Sequence, residues 1–147
     1  MGRSVRIDLA LDWTTRSARV ACRSTAGEHG ITVKTDGSGR WQINGAAAPA
    51  LDGCLDVDLE SSAMTNAFPV HRLQLEVGEH AEAPAAYVRA VDLTVERLEQ
   101  RYVRLDDDDG GRQRYQYSAP RFRFECELVY DEHGLVLDYP GIAVRAG

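Results

Sequence analysis

A chain of 147 residues carries 17 basic and 23 acidic side chains, a net charge of −6, with 44% apolar and 27% charged residues. That length suits a single domain over residues 1–147, and a chain of about 150 residues can bury roughly 70% of its unfolded surface without metal or disulfide staples. The balance excludes a coiled coil, a collagen, a disordered tail and a membrane span, and the acidic excess argues against nucleic acid as a partner, because phosphate binding needs a cationic face.

Taken in chain order, alternation with period two dominates. Val5, Ile7, Leu9 and Leu11 share one face of a first strand, and Ala18, Val20 and Cys22 share one face of a second after the polar break at residues 12–15. Asp8 and Asp12 interrupt this N-terminal apolar stretch, so no signal peptide is read there and a cytoplasmic location is expected. Ile31 and Val33 open a further strand. Asp36-Gly37-Ser38-Gly39 then supplies hairpin punctuation before Trp41 and Ile43, and Asn44-Gly45 closes that strand.

Gly53-Cys54-Leu55-Asp56-Val57-Asp58-Leu59 is the most unusual local pattern. On a strand it would put Asp56 and Asp58 on one side, about 7 Å apart, with the apolar residues on the other. Such a pair suits glycoside hydrolysis, but the plainer expectation is a solvated polar face of an antiparallel sheet. Residues 60–68 lack alternation and predict a short helix that Pro69 interrupts or terminates. Thr65 and Asn66 just before that proline are turn formers that bond nearby backbone. Should this loop lie over the aspartates, Arg72 would neutralise one of them.

Tyr87, Val91, Leu93 and Val95 form a weaker alternating run, followed by strands at 101–105 and 112–117 around an acidic tip. That tip, residues 106–111, lacks calcium-loop spacing and reads as a solvated hairpin end. The clearest strand is Phe122, Phe124, Cys126, Leu128 and Tyr130, with charged residues interleaved. Roughly ten short strands, Gly-rich turns and at most one short helix predict an all-β fold, an antiparallel sheet rolled up or closed as a barrel. Trp13 and Trp41 suit core packing first and sugar stacking second. Arg101 and Tyr102, with Asp138 and Tyr139, add polar groups on strands that need partners if buried.

Three cysteines, Cys22, Cys54 and Cys126, are odd in number and lack ligand spacing, and four histidines are scattered, so no disulfide framework, metal centre or cofactor is indicated. No nucleophile elbow or phosphate-cradling glycine loop is present.

Five motifs in order, Asp12-Trp13-Thr14-Thr15-Arg16, the Gly53–Leu59 stretch, Thr65-Asn66 with Pro69 and Arg72-Leu73, Gln100-Arg101-Tyr102, and Gly134-Leu135-Val136-Leu137-Asp138-Tyr139-Pro140, resemble the bacterial glycolipid-binding family, formerly a domain of unknown function. The resemblance implies a spiral β-roll or half-barrel whose concave face takes a lipid or glycolipid, with no established reaction. It directs attention to Asp56, Asp58, Thr65, Asn66, Arg72, Trp13, Trp41, Arg101, Tyr102, Asp138 and Tyr139 as ligand-contacting residues. Two departures stand out. The family usually carries Arg where this chain has His71, and members commonly begin with strands upstream of the Val5 segment. Without those strands, an open sheet edge is expected to be available for a homo-oligomer. Two rival readings remain, a hydrolase using Asp56 and Asp58 as acid and base, and an assembly protein pairing through that edge.

Overall fold

A computed structural model describes residues 2–25, 27–60, 62–90, 92–139 and 143–144. In chain order its elements are β1 (Gly2–Leu9), β2 (Thr15–Ser24), β3 (Gly27–Thr35), β4 (Trp41–Ile43), β5 (Ala46–Ala47), β6 (Asp56–Leu59), α1 (Ala67–Leu73), β7 (His80–Glu82), β8 (Ala85–Val88), β9 (Val95–Leu98), β10 (Arg101–Leu105), β11 (Arg114–Ala119), β12 (Phe124–Tyr130), β13 (Val136–Tyr139) and β14 (Ala143–Val144). Three-residue to four-residue 3-10 turns lie at Pro49–Leu51, Ala63–Asn66 and Pro120–Phe122. None of the helices is long and apolar enough to cross a membrane.

The strands form three sheets that do not close into a barrel, in the orders β1-β2-β3-β4-β5, β14-β13-β12-β11-β10-β7 and β6-β8-β9. The first is the predicted N-terminal set. Val5 faces Val20 and Ile7 faces Ala18 across β1 and β2, while Val33 faces Ile43 across β3 and β4. Asn44 and Gly45, both at positive φ, make the two-residue turn that pairs Ile43 with Ala46. Leu11 departs from its expected place: it lies in the turn after β1 and is fully exposed. Phe122 likewise sits in the 3-10 turn before β12 rather than in the strand.

The weak run at residues 87–95 is two strands, β8 and β9, paired antiparallel around a turn in which Leu93 takes a positive φ. Val91 lies outside the described residues. The expected helix is present but shifted. Its third residue is Pro69, inside the first turn, where a missing N–H leaves no intrahelical bond unmade, so the proline neither interrupts nor ends it. Termination comes at Gln74, left-handed at φ 48°, whose N–H donates to the Val70 carbonyl.

The one feature that antiparallel alternation does not foresee is the parallel pairing of β6 with β8, Asp56 opposite Ala85 through Leu59 opposite Val88. All eight residues of the two strands are buried. Parallel strands are characteristically covered on both faces, and the connection between them carries α1, as a parallel crossover requires. Two apolar clusters flank this central layer. Val57, Leu59, Ala86 and Val88 point into the first, with Trp41, Ile31, Val33 and Leu51. The opposite side turns towards a tyrosine-rich second cluster of Tyr102, Tyr115, Tyr117, Tyr130, Leu98 and Leu128. Ring contacts between these tyrosines, with centroids 5.2 to 6.4 Å apart, fill the inner face of the six-stranded sheet.

Close packing also fixes one turn glycine. Gly134, at φ 75°, lies so near the His71 ring that a Cβ would stand 2.4 Å from Nε2, whereas Gly45, at φ 85°, has open space around it. Gly45→Ala is expected to cost about 1 kcal/mol from backbone strain alone, and Gly134→Ala at least about 1 kcal/mol more, because His71 must also move. Urea unfolding of both variants against the parent checks this; equal losses would show that the ring contact is not rigid.

Candidate functional site

The aspartates of β6 do not face water. Asp56 is 1% and Asp58 9% exposed, so the expected solvated face is corrected to a buried polar stripe between the central layer and the tyrosine cluster. Alternation along β6 separates two interiors, one apolar and one hydrogen-bonding, instead of inside from outside.

Arg72 does neutralise one aspartate. From the last turn of α1 its Nε donates to Asp56 Oδ1 at 3.2 Å and its Nη2 to Oδ2 at 2.7 Å, a bidentate pair with both side chains largely buried. Burial raises the Asp56 carboxyl above its ordinary range, and the Arg72 bonds and charge oppose that rise. With both oxygens held, Asp56 is a fastener between helix and strand.

Asp58 is held differently. Thr65 Oγ1 donates to its Oδ1 at 2.9 Å and Gln100 Nε2 to its Oδ2 at 2.7 Å, with no cation against it. Burial pushes its carboxyl up to about 6; the bonds from Thr65 and Gln100 pull the other way, and the Asp56 charge adds to the rise. Thr65 Oγ1 also accepts the Leu59 N–H at 3.3 Å and stands 3.2 Å from the Ser62 carbonyl. Gln100 Nε2 reaches Tyr117 Oη at 2.5 Å. Asn66 Nδ2 donates to Tyr102 Oη at 2.9 Å, while the Asn66 carbonyl accepts from Tyr130 Oη at 2.9 Å. Thus Asp58, Thr65, Gln100 and Tyr117 form one buried hydrogen-bonded set, and Asn66, Tyr102 and Tyr130 form a second beside it.

Both sets open into a cleft of about 310 Å³, lined among others by Asp58, Glu60, Asn66, Tyr87, Phe122 and Phe124. Glu60 accepts the Ala90 N–H at 2.7 Å and the Tyr87 phenol, whose ionisation is suppressed first by burial and then by that carboxylate. Phe122 is 42% exposed at the rim, tilted against Tyr87 with centroids 5.5 Å apart. Leu59, Glu60 and Ser62 also line a second groove of about 200 Å³, otherwise bounded by Val5, Val20, Met64, Val88, Ala90 and Leu93 with Arg3 and Arg89 at its wall. A cleft that sets Asp58, Glu60, Ser62 and Asn66 among aromatic rings, Leu59, Leu98 and Ala119 therefore shares one wall with a more apolar groove.

The other expected residues lie elsewhere. Trp41 is 2% exposed, its Nε1 donating to the Cys54 carbonyl at 2.9 Å inside the first cluster, so its role is packing. Cys54 beside it is buried, which pushes its thiol up to about 11. Trp13 stacks flat on His71 with centroids 3.9 Å apart, on the far side of α1. His71 borders a cleft of about 1020 Å³, which lies between the end of α1 and the loops around residues 110–113 and 131–134. Arg101 pairs loosely with Glu82 at 3.9 Å across β10 and β7. Asp138 and Tyr139 belong by backbone to β13, and their side chains lie outside the described residues.

Glu60, Tyr87, Phe122 and Phe124 escaped the sequence reading. Glu60 continues the Asp56, Asp58 spacing by one more step and was the legible signal. The aromatic residues come from β8, the turn before β12 and the first residue of β12, which only the fold brings alongside β6.

The sequence profile of a family described as "Putative glycolipid-binding" matches residues 3–145. Among solved structures, the crystal structure of a DUF1089 family protein from Pseudomonas aeruginosa is 38% identical, with a TM-score of 0.87 over 98% of this chain and 77% of that one. No curated protein matches. A profile covering nearly the whole sequence, together with a relative of the same fold over nearly its full length, establishes that this chain belongs to that bacterial glycolipid-binding-type family.

Proposed function

We propose that the protein binds a glycolipid without transforming it, the sugar entering the cleft at Asp58 and the first part of an acyl chain following the adjoining apolar groove. The observation that carries this reading is the shared wall at Leu59, Glu60 and Ser62, which sets a hydrogen-bonding pocket directly against a more apolar one. Such a junction matches the polarity change between headgroup and chain. The inner sheet faces are filled by tyrosine, leucine and valine side chains, so the lipid belongs in these surface clefts rather than deep in the concave face. At about 310 Å³ the cleft at Asp58 stands at the lower end of small-molecule sites and suits a single sugar ring. Exposed Phe122 supplies a flat apolar face for the C–H side of that ring.

Native mass spectrometry of the protein purified from its own host, followed by denaturing extraction, tests the proposal. A stoichiometric adduct that releases a glycolipid is the expected result; a bare chain that also ignores glycolipid vesicles would defeat it. Phe122→Ala should weaken vesicle binding by about tenfold, the loss of one exposed ring contact worth about 1.4 kcal/mol, while leaving the unfolding midpoint nearly unchanged. Co-sedimentation with glycolipid vesicles, beside a urea melt of the same variant, reads both quantities.

A further inference from the structure

We infer that the cleft at Asp58 selects sugar headgroups that carry no negative charge, hydroxylated or amino-bearing rings, and rejects phosphate, sulfate and uronate headgroups. This rests on the glycolipid reading above and names the class of headgroup. Three observations carry it: the charge of the cleft's lining, the occupation of its donors and the aromatic rings in its wall.

No lysine or arginine lines the cleft, while two carboxyl groups, Asp58 and Glu60, do. Arg3 and Arg89 line the adjoining groove and not this cleft, Arg3 Nη2 donating to the Ala90 carbonyl at 3.3 Å. Arg89 Nη2 and Arg121 Nη2 both hold Glu96, at 2.9 and 3.1 Å, and Arg89 lies over the Phe122 ring at 6.0 Å from its centroid. An anionic headgroup would therefore enter a pocket walled by like charge, in a setting where each unmatched charge is costly.

The donors tell the same story. Gln100 Nε2 is committed to Asp58 and Tyr117, Asn66 Nδ2 donates to Tyr102, and the Tyr87 phenol serves Glu60. Apart from the Ser62 hydroxyl, what the cleft offers a ligand is chiefly acceptor oxygens. A ligand must bring its own O–H or N–H groups, which sugar hydroxyls and an ammonium do and a phosphate dianion does not. The Phe122 and Phe124 rings complete the match, because a sugar ring presents polar edges to acceptors and an apolar face to an aromatic plane.

Vesicle binding separates this inference from the reading beneath it. The intact protein is titrated with phosphatidylcholine vesicles, plain or doped with galactosyl, glucosyl or glucosaminyl diacylglycerol, or with phosphatidylglycerol, and separately with methyl galactoside and methyl glucosaminide in solution. Expected is at least about tenfold tighter binding to one of the three sugar lipids than to plain or phosphatidylglycerol vesicles, with the soluble glycosides weaker again. Equal or tighter binding to phosphatidylglycerol overturns the charge selectivity and leaves lipid binding standing. Soluble glycosides binding as tightly as the sugar lipids keep the charge selectivity and overturn the lipid reading, whereas no binding anywhere overturns both. In the double variant Asp58→Asn with Glu60→Gln, discrimination against phosphatidylglycerol should fall to about threefold or less, since the like-charge wall is gone. Unchanged discrimination in a folded double variant would overturn the assignment to these two carboxyls.

Discussion

Replacing Arg72 with alanine is expected to destabilise the protein by about 3–5 kcal/mol at neutral pH, enough to unfold a large share of molecules of ordinary stability. The magnitude follows from what is left behind. Asp56, with 2% of its side chain exposed, would keep its burial and lose a bidentate partner at 2.7 and 3.2 Å. Its carboxyl is already raised by burial against the pull of Arg72, so removing Arg72 raises it further. A carboxyl with a raised folded-state pKa holds its proton longer in the native state than in the unfolded chain. Stability is then lost as pH rises through the folded value and recovered as pH falls below it. The deficit in Arg72→Ala should therefore be greatest near pH 8 and shrink towards pH 4. The double variant Asp56→Leu with Arg72→Met should regain most of the loss, because a well-packed apolar pair can replace a buried ion pair at little cost. Urea unfolding across that pH range measures all three; a deficit independent of pH would mean that Arg72 acts through packing of its stem and not through Asp56.

For Asp58→Asn the expected sign is the opposite: a gain in stability at pH 7 and above, approaching about 3 kcal/mol, and none near pH 4. The ordinary value of 3.8 is raised to about 6 in the fold. Each unit corresponds to about 1.4 kcal/mol, so the ionised form weakens the fold by about 3 kcal/mol once pH exceeds both values. Between pH 4 and 6 the native state binds more protons than the unfolded chain, and stability falls as pH rises. Asparagine mimics the protonated acid. Its oxygen can accept from Gln100 Nε2, and its nitrogen can donate to Thr65 Oγ1, whose own proton then turns to the Ser62 carbonyl 3.2 Å away. The difference between variant and parent should thus climb across pH 4–6 and level off above it. Parallel stability curves would show that Asp58 is solvated through the cleft. A residue retained at a cost to stability, beside a pocket, is what a binding function predicts.

The N-terminal sheet, the 101–119 hairpin and β12 were legible because each sets one apolar face against one wet face, and period-two alternation then reads directly as strand. The turn chemistry of Asn44-Gly45 fixed a register locally. The capacity of Arg72 to meet an aspartate was legible too, since spacing placed the 65–72 segment within reach of β6. The sequence also named Asp58, Thr65, Asn66 and Tyr102 as polar residues of interest, and they are found partnered in two pairs, Asp58 with Thr65 and Asn66 with Tyr102.

Tertiary structure decided the rest. A D-x-D strand has the same local pattern whether its polar side meets water or a second interior. Only the parallel pairing of β6 with β8, formed by residues about 30 positions apart, covers both faces and makes the aspartates buried. Trp13 and Trp41 have similar polar and turn neighbours in sequence, yet Trp41 fills the first core while Trp13 packs at its edge and stacks on His71, because strand order and not local pattern assigns their surroundings. The cleft itself is assembled from β6, the turn before α1, β8, β9, β11, and the turn ahead of β12 with that strand's first residue. Sequence determined which side chains have the chemistry for a sugar, and tertiary contact decided which of them share a wall, since proximity across such separations depends on how the sheets pack and not on any local periodicity.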